Sequence, residues 1–79
     1  MFHTHLVHIS DKILHDGRTE RVVLPGVMGE FEVLDGHIAV VSLLSKGCLS
    51  VFDKGGQKRF AIEQGLMRFD GKELYAVVE

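Results

Sequence analysis

Glycine cuts this chain into runs too short for ordinary helices, and no other feature of the sequence constrains the fold as much. Nine glycines stand against one proline in 79 residues. The runs between them are rich in Val, Ile, Leu, Phe and Thr, side chains that pack well on a pleated, half-buried surface. No stretch sustains the 3.6-residue apolar period of an amphipathic helix. Residues 22–47, VVLPGVMGEFEVLDGHIAVVSLLSKG, show the pattern best. Two apolar runs and a short polar one are punctuated at Pro25-Gly26, Gly29-Glu30 and Asp35-Gly36-His37.

Extended along the chain, the same signals predict strands over 2–9, 12–15, 18–24, 30–34, 37–44, 48–53, 58–63, 66–70 and 74–78. Alternation puts Leu49 and Val51 on one face and Ser50 and Phe52 on the other, and it puts Phe60 with Ile62 while Arg59 and Glu63 face away. Asp53-Lys54-Gly55-Gly56 is a hairpin signal, because glycine supplies the positive φ that tight turns need. Asp70-Gly71 and Asp16-Gly17 are further signals of that kind. Short strands at this spacing predict an all-β fold, a two-layer β-sandwich or flattened barrel of about 8–10 strands. A single flat sheet of this composition would leave an apolar face in water, whereas two layers bury it.

The chain is expected to be a single domain over 1–79 with a modest core, since chains this short bury about 60% of their unfolded surface. No unbroken apolar run exceeds five residues, far short of the ~20 residues that cross a bilayer as a helix. The N-terminal MFHTHLVHIS lacks the basic leader and apolar core of a signal peptide. The lone Cys48 cannot form an internal disulfide and fits a reducing compartment. A net charge of −2 with scattered basic residues argues against a nucleic-acid partner.

Candidate chemistry is sparse. His3, His5 and His8 crowd the first strand, with His15 and His37 further on. On a strand, His3 and His5 share a face and His8 takes the other, sharing it with Leu6. Two imidazoles two apart can share a metal ion, but a structural zinc site wants four ligands, and no H-E-x-x-H or C-x-x-C spacing occurs. These histidines are therefore expected to be ordinary surface residues. Ser10, Ser42, Ser45 and Ser50 offer hydroxyls without a nucleophile elbow. The glycine turns are followed by no G-K-(S/T) or helix and so do not make a phosphate loop. Glu30 and Glu32, two apart, share a strand face. Such a pair suits a solvated face, a general acid and base, or a docking contact.

In order along the chain stand His5-Leu6-Val7-His8-Ile9-Ser10, Ile13-Leu14, Gly17, Leu24-Pro25-Gly26, Gly29-Glu30-Phe31, Val33-Leu34, Gly36-His37, Ser42-Leu43-Leu44, Gly47, Gly55-Gly56, Phe60-Ala61-Ile62, Gly65 and a closing apolar strand. This series resembles the N-terminal domain of the epsilon subunit of F-type ATP synthases over nearly the whole chain. Departures are Asp35 for a proline, Ile38-Ala39 for Ala-Pro, Glu32 for glycine, Gln64 for the first of two glycines, and His8 for an apolar residue. A proline lost beside a turn loosens it slightly by raising unfolded-chain entropy. A buried His8 would need a hydrogen-bond partner. The family usually continues into two helices that restrain ATP hydrolysis or bind ATP. This sequence ends at Glu79, so those roles are not carried over.

The resemblance implies a non-catalytic central-stalk rotor subunit without a cofactor. Such a subunit grips gamma, rests on the c ring, and couples ion-driven rotation to ATP synthesis. It implies gamma contacts at Ser10, His37, Val40 and Ser42, with an apolar patch on that side. It also implies c-ring contacts at Met28, Glu30 and Glu32, where carboxylates suit Arg and polar amides. Membrane association would be indirect, through the c ring. The expected location is the cytoplasmic face of the plasma membrane, or its organellar equivalent. Two alternatives stand beside it: a metal- or ligand-binding β-domain using the N-terminal histidines, and a hydrolase built from scattered Ser, His and Asp residues.

Overall fold

The computed structural model describes residues 1–79 and contains nine strands and no helix. They are β1 (Phe2–His8), β2 (Ile13–Thr19), β3 (Arg21–Gly26), β4 (Gly29–Leu34), β5 (Val40–Leu44), β6 (Gly47–Asp53), β7 (Gly56–Ile62), β8 (Gly65–Phe69) and β9 (Glu73–Val78). Hydrogen bonding runs in the order β2-β1-β9-β8-β5-β3-β6-β7, with β4 added on β3. All pairings are antiparallel except β1 with β9.

The sheet folds over at β3. Arg21 to Val23 pair with β6, but Gly26 pairs with Leu44 of β5. Pro25 sits at this change of neighbour, where a missing N–H does least harm to the ladder. Its carbonyl accepts the N–H of Ser45 at 2.8 Å and the hydroxyl of Ser45 at 3.2 Å. Gly26 is required beside it, since a Cβ there would lie 2.8 Å from both the Gly29 carbonyl and the Phe31 ring. The result is two layers, β2-β1-β9-β8-β5 over β4-β3-β6-β7, which is the sandwich expected. The smallest dimension of the molecule, 19 Å, fits two sheets stacked about 10 Å apart.

Between the layers lie fourteen buried apolar residues drawn from every strand but β2, whose Leu14 packs against them half-buried. Phe2 meets Phe69 edge to face at 5.3 Å, an arrangement favoured by the ring quadrupoles. Thr4 and Thr19 are fully buried and satisfy each other, with the Thr19 hydroxyl 2.7 Å from that of Thr4. Leu49, Val51 and Ile62 face the core as alternation predicts.

The hairpins expected at Asp53–Gly56 and Asp70-Gly71 are present. Asp53 pairs with Gly56, whose φ is 125°. Asp70 Oδ1 accepts the N–H groups of Lys72 and Glu73 at 2.9 and 2.8 Å, closing the β8–β9 turn. Three boundaries differ from expectation. Asp16-Gly17 is not a turn: β2 runs straight through it, pairing His5 with Asp16 and Thr4 with Gly17, and Gly17 has no positive φ. Pairing with β1 decides there, and the chain turns only at Glu20. Pro25-Gly26 lies inside β3, and the turn is made by Val27 and Met28. β5 begins at Val40 rather than His37, because His37 to Ala39 run on from the Asp35-Gly36 turn without ladder partners.

Candidate functional site

The five-stranded layer has an outer face, and the strand registers arrange its side chains in rows. Leu44 is buried, so Leu43 points outward. It stands opposite Leu66, which stands opposite Val77, then Val7, then Ile13. This apolar row crosses five strands and faces water: Ile13, Leu43, Leu66 and Val77 are 64, 59, 49 and 49% exposed. Ile9 and Val27, also exposed, line one groove with Leu43, Leu66 and Val77. Scattered exposed apolar residues are ordinary, but a contiguous apolar patch marks a surface that another molecule covers.

Two residues along β1, β5, β8 and β9, and three along the bulged β2, the chemistry changes. The next row reads Val41, Arg68, Tyr75, His5, Asp16, and beyond it Glu73, His3 and Arg18. Four of these stack. The His3 and His5 rings lie 4.3 Å apart, His5 lies 4.6 Å from Tyr75 at an interplanar angle of 6°, and the Arg68 guanidinium sits 4.8 Å over Tyr75. Carboxylates flank the stack. His3 Nε2 hydrogen-bonds Asp16 Oδ1, and His5 Nε2 lies 2.9 Å from Glu73 Oε1. Those imidazole hydrogen bonds hold the Asp16 and Glu73 carboxyls below the usual range. Desolvation and then the neighbouring Glu73 push the Tyr75 hydroxyl up.

The residues singled out from sequence fall in three places. Met28, 97% exposed, caps the β3–β4 turn, and Glu30 and Glu32 follow it on the exposed side of β4. Glu32 makes an ion pair with Arg21 at 3.7 Å. Ser10 lies in the β1–β2 turn, where its N–H and hydroxyl both meet His8 Nδ1, at 3.1 and 2.8 Å. That His8 is half-buried and fastened to its own turn rather than sunk in the core. His37 packs its ring edge toward Phe69 at 6.1 Å, with Nδ1 2.7 Å from the Ile38 carbonyl.

Val40 requires a correction, while Ser42 keeps part of its surface in water. They share the inward face of β5 with Leu44. Val40 packs against the core, and the Ser42 hydroxyl bonds the Leu43 carbonyl at 3.1 Å. Val40 is therefore a partly exposed neighbour of the core rather than a fully exposed apolar group. The patch expected beside Ser10, His37 and Ser42 is carried instead by Leu43, Leu66 and Val77. His15 was expected at the surface, but it is the buried histidine. It is 7% exposed, its Nε2 has no partner, and burial followed by the Lys58 charge holds its pKa down.

Sequence reasoning missed Leu66, Val77, Asp16, Glu73 and Tyr75. Alternation flags Leu66 and Val77 as outward once Met67 and Val78 are taken as core. Nothing local brings Asp16, Glu73 and Tyr75 to His5.

The family model for the ATP synthase delta/epsilon chain β-sandwich domain matches residues 1–79. The chain belongs to this family. Among curated members, the ATP synthase epsilon chain of Nitrobacter winogradskyi is 35% identical over 78 residues, covering 99% of this chain and 57% of its own length. That of Pelagibacter ubique is 29% identical over 73 residues, covering 92% and 56%. The chain thus spans about half the length of the epsilon chains it matches. Its fold is that of a chain in the Euglena gracilis mitochondrial ATP synthase, with a TM-score of 0.88 at 21% identity over 98% of this chain and 49% of the other. A central-stalk/c-ring structure of the Tetrahymena thermophila enzyme matches with a TM-score of 0.77 at 13% identity, covering 98% and 62%.

Proposed function

We propose that this epsilon-type domain, a single unit over 1–79, is a non-catalytic rotor part of an F-type ATP synthase. It couples rotation of the c ring to the catalytic head by gripping the gamma subunit. The observation that carries this is the outward apolar row Ile13, Val7, Val77, Leu66, Leu43. It is a surface in need of cover, on a domain whose relatives are epsilon chains and whose structural neighbours are ATP synthase chains. Docking against gamma buries that row, with Ser10 at its β1–β2 end and with His37 and Ser42 on the neighbouring margin. At the β3–β4 turn, Met28, Glu30 and Glu32 form an exposed acidic tip suited to basic and amide groups of the c-ring loops. The domain then sits at the membrane surface indirectly, through the ring. It uses no cofactor.

Titrating the chain into its cognate gamma subunit tests this. One-to-one binding at micromolar or tighter affinity is expected. Leu66→Glu should weaken it by at least about a hundredfold, as truncation of a central contact does. No heat of binding at high micromolar concentration would overturn the proposal.

A further inference from the structure

The stacked histidines do something the apolar row does not require. We propose that His3, His5 and Asp16 form a site for one divalent transition-metal ion of the zinc, nickel or copper(II) class. The site is independent of the stalk reading and would stand or fall without it.

The geometry has four parts. One ligand atom from each of the three residues lies within 4.8 Å of the others. His5 Nε2 lies 2.9 Å from Glu73 Oε1. An ionised carboxylate only accepts, so this nitrogen carries the proton and a neutral ring presents its lone pair at Nδ1. That Nδ1 is 3.7 Å from Asp16 Oδ1, so two acceptors face each other across a gap. A tetrahedral ion with bonds of about 2.0 Å sets its ligand atoms about 3.3 Å apart, close to this spacing. Finally, the stack on Tyr75 fixes the His5 ring plane, and Glu73 fixes its tautomer, the support that metal-ligating histidines commonly receive from a carboxylate.

Two imidazoles and a carboxylate suit zinc-class ions, whereas calcium and magnesium prefer oxygen alone. Three protein ligands leave a position for water, so the ion exchanges with solvent. Binding replaces the hydrogen bond between His3 Nε2 and Asp16, the neutral ring then carrying its proton at Nδ1, and protons compete with the ion for both imidazoles, which makes affinity fall as pH is lowered. His8 lies outside this cluster, and its Nδ1 is taken by Ser10.

The test is calorimetric titration of zinc chloride into the untagged, metal-stripped chain at neutral pH, with histidine ring nitrogens followed by nitrogen-15 NMR. Expected are one zinc per chain, reversal by chelator, and shifts at His5 Nδ1 and the His3 ring while His8 and His37 stay still. His5→Gln, Asp16→Asn and Glu73→Gln should each weaken binding about tenfold or more. These side chains face solvent, so the variants should melt near the parent temperature without metal. Absence of saturable binding below millimolar zinc overturns the proposal. So does binding that survives His5→Gln and Asp16→Asn, or that moves His8 or His37.

Discussion

His15 and Asp70 show how differently single polar groups contribute here. His15 is buried with Nε2 unpaired, so its desolvation goes uncompensated. His15→Leu should raise unfolding free energy in urea by about 1 kcal/mol at neutral pH. A loss of similar size would show that the imidazole has a partner. Asp70 is the opposite case, accepting two backbone N–H groups at the β8–β9 turn. Those bonds lower its pKa in the folded chain. A group depressed in this way stabilises fully above its unfolded pKa of about 3.9, and the contribution is lost as pH falls through the folded value. Asp70→Asn keeps an acceptor but cannot titrate. Its stability should therefore decline less between pH 5 and pH 2 than that of the parent, as followed by circular dichroism at each pH. The sequence identified Asp70 because its role is local, written in Asp-Gly beside two donors. It misplaced His15, because the inward side of that residue is set by pairing with the buried Leu6 across β1 and β2.

Among the elements, the hairpins β6–β7 and β8–β9 were legible because turn residues and alternation lie within one short segment. The misread Asp16-Gly17 had a larger consequence. Taken as a turn, it ends a strand and removes Asp16 from the sheet. As the middle of β2, it sets Asp16 beside His5. Paired glycine substitutions test this. Gly17→Ala should change stability by no more than about 1 kcal/mol, of either sign, since the added Cβ meets only His15 Nε2 at 3.7 Å and needs no unusual φ. Gly26→Ala should cost about 2 kcal/mol or more, because its Cβ would press on a backbone carbonyl and the Phe31 ring. Equal effects at the two positions would contradict the strand assignment. The parallel pairing of β1 with β9 was not legible at all, since it joins residues some seventy positions apart in sequence, His3 with Glu73 among them.

At the scale of the molecule, the two-layer sandwich follows from composition and glycine spacing, but the faces follow from register. Each of the five strands in the outer layer offers one or two outward apolar residues, unremarkable alone. Only their alignment across β5, β8, β9, β1 and β2 makes a continuous row, and no single-strand pattern reports it. The exposure of Met28, Glu30 and Glu32 was legible because they lie on one turn and one strand, whereas their proposed c-ring role rests on the resemblance. The proposed gamma-side residues rest on the resemblance alone, and Val40 packs against the core. Leu66→Glu should leave folding intact, within about 0.5 kcal/mol by urea melt, because the side chain is half in water already. The row can be watched directly by methyl NMR of the chain as unlabelled gamma subunit is added. The account predicts saturating shifts for Leu43, Leu66 and Val77, with core methyls such as Val22 and Val51 little moved. Methyl spectra unchanged by gamma, or shifts confined to the opposite layer, would contradict it.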